Sequence, residues 1–400
     1  MRILFISHTM PGVFGPLAEY FAAQSGNDVV FAAEYSRRSL ELPGVRRLRV
    51  RKTRERRAAT VSGGRREDAA RELQRAFLRG DAMHESLLRL RDDGFDPDII
   101  VTSSGMGVSM LTREVFPGNF LAAYLDWVAV PRDLCAGETP YQRAVQLLTQ
   151  SKLVVDADYL FTLSQGQRQQ YPPFIADHID ILPPCVDTLF FSPAAARPFE
   201  HEGQVYSRSG EVLVFSVRSA DFPRNAPLWA AMHMLLMQRP QAHIFLLCGG
   251  RNVWSALLPG WEALPECSRS RIHLLDFIDD DSYRDLLCAA SLFAMLEPPS
   301  PFFSCMLEAM SCGAALVLPA SGILREVLTH EGCACLCEGS SLEDMTAAVL
   351  GLLEQPARLR AMQREGRALM EKNYCRQQHL PVQAELLLNA WRRWCSRKND

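Results

Sequence analysis

Short, continuously apolar runs recur along this chain, each followed by a stretch with helical spacing, and that alternation leaves few folds open. Arg2 to Ser7, Val29 to Ala33, Val45 to Val50, Pro97 to Ser103, Phe120 to Asp126 and Tyr159 to Ser164 read as strands, with a long amphipathic helix over roughly Glu67 to Arg91. Strands apolar on both faces belong in a parallel sheet covered by helices on both sides. The pattern breaks at Ile181 to Pro193 (ILPPCVDTLFFSP), and the Ala- and Pro-containing sequence that follows, to about Gly210, reads as a linker. A second series then begins: Glu211 to Ser219, Ala242 to Gly250, Arg271 to Ile278, Ser291 to Leu296, Ala315 to Pro319 and Ala334 to Cys337. A length of 400 residues suits two such domains. The expected architecture is α/β, with doubly wound Rossmann-like domains at 1–190 and 191–375. A C-terminal helix at 376–400 is expected to return to the first domain, covering Trp391, Trp394 and Leu386 to Leu388. Ligands bind such sheets at the carboxyl ends of the strands, so two facing domains would enclose a cleft.

The bulk properties exclude several classes. A formal net charge of −3 carries no nucleic-acid signature. No run of 18 apolar residues predicts a membrane-spanning helix. The opening MRILFIS enters a strand without the regions of a secretory signal, which points to the cytoplasm. The 12 cysteines lie scattered in apolar segments, where cysteine behaves as a small hydrophobe. Cys333, Cys335 and Cys337 share one face of a short strand, but no Cys or His pair with zinc spacing completes a site there.

Several segments resemble the family-four glycosyltransferases of the group 1 type. Pro299 to Gly313 (PSPFFSCMLEAMSCG) is similar to that family's donor-binding signature, with Leu307, Glu308, Ala309, Met310 and Gly313 in place, then ALVLPASG and Glu326. CVDTLFFSP resembles the domain connector, with Val186, Asp187, Phe190 and Pro193 matching and Cys185 where the family usually has glycine. FSVRSADFPRN resembles the first strand and loop of the second domain, with Arg224 where lysine is commoner, and SHTMPGVFGPLAEYFA resembles the first glycine-containing loop. The likeness runs in order along nearly the whole chain. It departs at Ser300, eight positions before Glu308, where the family commonly carries a first glutamate that holds donor-sugar hydroxyls.

The resemblance implies a GT-B fold and transfer of a sugar, with retention, from a UDP- or GDP-linked donor to a glycan or lipid-linked acceptor. It implies no cofactor and no metal. Departure of a nucleoside diphosphate places negative charge on the β-phosphate, which fixed cations can stabilise. Arg218, ending a strand, and Arg224, on the loop beyond, are the candidates, because a guanidinium fork matches phosphate oxygens. The Asp96/Asp98 and Asp156/Asp158 pairs stand at strand starts, the wrong end for a site, and Asp279 to Asp281 suit a helix start. Ser300, Phe302, Phe303 and Ser304 precede the Glu308 helix, where backbone N–H groups favour phosphate or sugar hydroxyls. Glu308 is placed to accept ribose hydroxyls, and Phe277 and Ile278 to meet the base. Gly12 and Gly15, like Gly105 and Gly107, let backbone approach a ligand. Asp126, in YLDW at a strand end, is the polar candidate near the acceptor. Since the leaving phosphate can take the acceptor's proton, no protein nucleophile is required.

Arg46 to Arg57 holds seven arginines and a lysine and suits peripheral contact with anionic headgroups at the inner membrane face; without interleaved aromatics it is no nucleic-acid platform. A solvated strand edge and loop is the competing reading of that run. Two other functions stay open at this point: a non-catalytic nucleotide-sugar-binding homologue or partner subunit, motivated by Ser300, and a GT-B nucleotide-sugar epimerase.

Overall fold

The computed structural model describes residues 1–36, 41–50, 65–126, 140–217, 227–276, 278–296, 304–320, 322–328, 332–337 and 341–399. The chain divides into two compact units, Met1–Pro183 with Gln378–Asp400, and Pro184–Gln377. It crosses from the first to the second at Pro183–Pro184 and returns at Gln377–Gln378.

The first unit contains β1 (Arg2–Met10), β2 (Asp28–Ser36), β3 (Val45–Arg49), β4 (Ile99–Ser103), β5 (Phe120–Tyr124), β6 (Tyr159–Thr162) and β7 (Ile179–Ile181). All are parallel, in the order β3-β2-β1-β4-β5-β6-β7. β4 and β5 are buried at every position, which is why they read as unbroken apolar runs. The chain winds outward from β1 to β3, then restarts on the other side with β4. The β1/β4 boundary is therefore the switch point where such sheets bind ligands.

In the second unit, β8 (Phe199–His201) and β9 (Gln204–Tyr206) form an antiparallel hairpin. They are followed by β10 (Val212–Val217), β11 (His243–Cys248), β12 (Ile272–Leu275), β13 (Leu292–Met295), β14 (Ala315–Pro319) and β15 (Ala334–Cys337). The last six make a parallel sheet in the order β12-β11-β10-β13-β14-β15, with its switch point between β10 and β13. One face packs Leu213, Phe215, Ile244, Leu246, Leu292 and Val317 against helices Pro227–Gln238 and Leu342–Leu353.

The hairpin corrects the linker reading of the stretch up to Gly210. Pro198 and two three-residue strands carry too little periodicity to register as a sheet, although Glu202-Gly203 supplies the turn. Cys333 also differs from its expected place, preceding β15 rather than lying on it.

The helix Arg376–Asn399 buries Leu380, Ala384, Leu387 and Ala390, a stripe at helical spacing. Trp394 lies 5.8 Å from Phe120 of β5, and the Lys398 ammonium donates to the Gly118 carbonyl at 2.7 Å. Among the described residues no helix is long and apolar enough to cross a membrane.

Candidate functional site

At the carboxyl end of the first sheet, the chain leaves β1 through a turn, Gly12–Phe14, into helix Gly15–Ala22. Gly12 has φ +48°, a conformation that favours glycine. A Cβ on Gly15 would stand 2.4 Å from that of Pro11. Leaving β4, Gly105–Gly107 forms a second tight turn, in which Met106 takes φ +62° and Gly107 +82°. A Cβ on Gly107 would lie 2.6 Å from the Ala76 carbonyl oxygen, and one on Gly80 would lie 3.0 Å from the Gly107 carbonyl. These two glycines let helix Arg65–Asp92 seat its backbone against the turn.

That seating brings Arg79 to the strand ends. Its Nε is 3.5 Å from Oε2 of Glu34 on β2, and the same oxygen is 3.1 Å from Nδ1 of His8 on β1. The Glu34 side chain is buried, and neither its Oε2 nor His8 Nδ1 completes a hydrogen bond, so the contact is an ion-pair distance without hydrogen-bond angles. The His8 ring stands edge-on to Tyr35 at 4.8 Å. Asp126 follows β5, half-buried. Its backbone N–H donates to Ser104 Oγ at 2.9 Å, and its carbonyl accepts from the Tyr171 hydroxyl at 3.0 Å. Burial, with the Asp126 carboxylate adding to it, pushes the Tyr124 and Tyr171 phenols far up, so both remain neutral. Gly12, Gly15 and Asp126 thus stand at the same end of one sheet as a His8–Glu34–Arg79 cluster that the sequence reading did not single out. Its members come from two strands and a distant helix, and no linear spacing connects them.

In the second unit, Ser304 and Glu308 lie on the helix that follows β13, one of the two strands at the β10/β13 switch point. Arg218 and Arg224, in the chain following β10, lie outside the described residues, as do Phe277, Ser300, Phe302 and Phe303. Ser304 opens helix Ser304–Ser311 and is exposed; Ile278 is half-buried just before helix Asp280–Ala289. Glu308, one turn into its helix, is half-buried and accepts a hydrogen bond from the Tyr283 hydroxyl at 3.0 Å. Burial pushes its carboxyl up to about 7, with Tyr283 pulling against the shift and Asp280 adding to it.

Two devices hold this pair in place. Helix Ser304–Ser311 ends in a Schellman turn. Ala314 N–H donates to the Ala309 carbonyl, Gly313 N–H donates to the Met310 carbonyl, and Gly313 sits at φ +80°. Arg208 then donates to the Cys312 carbonyl at 2.7 Å, to Cys288 at 2.8 Å and to Ala290 at 3.1 Å, so one guanidinium caps the carboxyl ends of both helices. Arg208 lies in the stretch read as linker, and nothing local in the sequence marks it as a cap.

The acidic pairs are engaged elsewhere. Asp98 accepts from Arg2 N–H and Asp96 from the Asn119 amide; Asp158 accepts from Arg113 and Leu121 N–H, and Asp156 from Lys152. Asp279 caps helix Asp280–Ala289, accepting from Ser282 N–H at 2.9 Å. Arg46 to Arg49 lie on β3 at the sheet edge, with Arg46 3.6 Å from Asp28 and over the Phe95 ring. Residues 51–57 of the basic run lie outside the described residues.

Two family models match the chain: a glycosyl transferase family 4 group model over residues 25–191, and a glycosyl transferases group 1 model over residues 212–355. The chain belongs to the group 1 glycosyltransferases of GT-B fold. It is 24% identical over 240 residues to a GDP-mannose-dependent monoacylated alpha-(1-6)-phosphatidylinositol monomannoside mannosyltransferase of Corynebacterium glutamicum, covering 56% of this chain and 60% of that protein. It is 25% identical over 253 residues to a D-inositol 3-phosphate glycosyltransferase of Segniliparus rotundus, covering 58% of this chain and 52% of that protein. The matched segments thus span little more than half the length of these relatives. Among solved structures, sucrose-phosphate synthase from Thermosynechococcus elongatus superposes with a TM-score of 0.70 at 18% identity, covering 97% of this chain and 98% of the other. HepE from Anabaena, in complex with UDP-glucose, gives 0.65 at 15% identity, covering 97% and 100%. UDP-GlcNAc 2-epimerase from Neisseria meningitidis gives 0.65 at 12%, covering 97% and 100%. At these identities the likeness is one of fold, which both transferases and epimerases share.

Proposed function

We propose that this group 1 family member is a glycosyltransferase, moving a sugar with retention from a UDP- or GDP-linked donor to a glycan or lipid-linked acceptor, without a metal. The observation that carries the reading is the Glu308–Tyr283 pair. It is a half-buried carboxylate, one turn into the helix after the switch-point strand, whose described partner is a single neutral hydroxyl. A carboxylate so placed has accepting capacity for a pair of vicinal ribose hydroxyls. The sequence places Arg218 directly after β10, the switch-point strand of the same sheet, and Arg224 a few residues on. In this mechanism the two guanidiniums neutralise charge developing on the departing diphosphate, and the freed phosphate oxygen takes the acceptor's proton. Engagement of the described acidic pairs in capping and strand-start contacts supports a metal-free reaction. In the first unit, His8, Glu34 and Asp126 supply polar groups for acceptor hydroxyls. The relative from Corynebacterium, named for a phosphatidylinositol mannoside acceptor, supports a lipid-linked acceptor here, with the basic run from Arg46 meeting anionic headgroups.

The test is transfer from UDP- and GDP-sugars to phosphoinositide and glycan acceptors by the purified chain, with the anomeric configuration of the product read by NMR. Arg218→Ala is expected to cut kcat by about 10²–10³-fold, the loss typical of removing one oxyanion-stabilising donor. Glu308→Gln is expected to weaken donor binding. Tight nucleotide binding with no turnover on any donor would replace this reading with a binding protein; C2 inversion of a UDP-sugar without an acceptor would replace it with an epimerase.

A further inference from the structure

The hairpin β8–β9 lies on the face of the second sheet opposite the packed core, against the β11–β12 edge. Phe199 and Tyr206 both meet Phe245 edge-on, at 5.4 and 4.9 Å. Its two-residue loop, Glu202-Gly203, has both residues in the left-handed region, φ +50° and +77°. That conformation is unfavourable for a glutamate. It nevertheless directs the Glu202 carboxylate at two imidazoles. Oε1 is 3.9 Å from Nε2 of His201 on β8, and Oε2 is 3.9 Å from Nδ1 of His273 on β12. One ligand atom from each of the three residues lies within 4.8 Å of the others.

The surroundings orient these groups as a metal site requires. The remaining nitrogen of His273, Nε2, is 3.3 Å from the Tyr206 hydroxyl and 3.3 Å from His243 Nδ1, so a proton on Nε2 has partners there when Nδ1 turns its lone pair to a metal ion. The His273 ring is stacked on Phe245 at 4.5 Å, which fixes its plane. Beside the three groups runs a cavity of about 370 Å³, bounded also by Trp254, Trp261 and Arg269. It has room for a water or an exogenous ligand in a fourth position.

We propose that His201, Glu202 and His273 bind a divalent transition-metal ion of the zinc class, through two imidazoles and one carboxylate, with the fourth position open to the cavity. Borderline nitrogen and oxygen donors in this number suit Zn²⁺ or Co²⁺ rather than Ca²⁺ or Mg²⁺, which call for more oxygen ligands. Bonds of about 2.0–2.1 Å to nitrogen and oxygen need the three ligand atoms to close by roughly 1 Å, which rotation of the exposed Glu202 side chain and of His201 supplies. The ion joins the hairpin tip to the edge strand, linking Glu202 to His273, 71 positions on, by contacts that no C-x-x-C or H-x-x-x-H spacing announces. It is separate from the donor chemistry around Glu308, and its test does not read sugar transfer.

The experiment is calorimetric titration of the chelator-treated full chain with Zn²⁺, with thermal unfolding in parallel and Co²⁺ as a spectroscopic substitute. One equivalent is expected to bind and to raise the unfolding temperature, and bound Co²⁺ should show visible ligand-field bands without thiolate charge-transfer absorption. Two surface variants, His201→Ala and Glu202→Gln, should each weaken Zn²⁺ at least tenfold and abolish the stabilisation, while far-ultraviolet dichroism stays native. A Cys335→Ser, Cys337→Ser variant should bind as the parent does. Absence of binding, binding indifferent to His201 and Glu202, or thiolate bands from Co²⁺ would each overturn the proposal.

Discussion

The two parallel units solve the same topological problem and treat the carboxylate at their strand ends in opposite ways. In the first, the Glu34 side chain is buried between His8 and Arg79, and the helix bearing Arg79 is seated by two glycines whose own Cβ atoms would meet backbone at the approach. In the second, Glu308 meets a tyrosine hydroxyl, and its position is held from behind by a helix-end turn and by Arg208. A buried carboxylate at ion-pair distance from a guanidinium is favoured in its charged form. One facing a neutral hydroxyl in a partly desolvated place is costly to ionise and retains accepting capacity for an incoming ligand. The contrast separates a carboxylate contacted by basic side chains from one whose described contact is a neutral hydroxyl.

The largest effect expected from breaking this contrast is on the first unit. Gly107→Ala forces a left-handed residue and a clash with the Ala76 backbone, and should cost about 3 kcal/mol in urea unfolding. Gly26→Ala, also left-handed at φ +84° but with nothing within 4 Å of the added methyl, should cost about 1 kcal/mol. Equal losses would mean that close approach of the long helix contributes nothing.

Glu308→Gln sharpens the other side. The folded carboxyl titrates at about 7 against an ordinary 4.5. Between those values the folded state holds a proton that the unfolded state has released, so stability falls as pH rises through that window and is level above it. Glutamine removes this cost. The variant should be more stable than the parent by roughly 2 kcal/mol at pH 8, with the advantage shrinking as pH falls through about 7 and gone near 4.5. A pH-independent difference would show that Glu308 is solvated as an ordinary surface acid.

Glu34→Gln should do the reverse, losing about 1–2 kcal/mol by leaving Arg79 without its partner, and a double-mutant cycle with Arg79→Ala should recover most of that as coupling. The smallest effect belongs to the exposed Arg46–Asp28 pair joining β3 to β2. Arg46→Ala should change stability by less than about 0.5 kcal/mol while lowering retention on anionic vesicles, the behaviour of a charge that serves the surface rather than the fold.

The sequence made the sheets legible because their strands are buried on both faces, and β4 and β5 could be read to within two residues at one end. The helical placement of Glu308 was legible because it sits inside a motif of fixed spacing. The Tyr283 hydroxyl that meets it, 25 residues earlier, was not, since only the packing of two helices joins them. His8, Glu34 and Arg79 were missed for the same reason, and Arg208 because a helix-capping arginine looks like any loop arginine until the carbonyls are placed. The hairpin was hidden by its brevity, though the alternation of FEH and QVY around Glu-Gly is the signal that finds it.

The stripe of Leu380, Ala384, Leu387 and Ala390, with Trp394 against Phe120, has a consequence for how the molecule is made. The first unit is completed by residues that leave the ribosome only after every residue of the second. During synthesis at about 5–20 residues per second, β5 therefore waits on the order of ten seconds or more for its covering helix. A nascent chain stalled before residue 378 would carry a finished second unit and an unfinished first, the reverse of the order in which they are encoded.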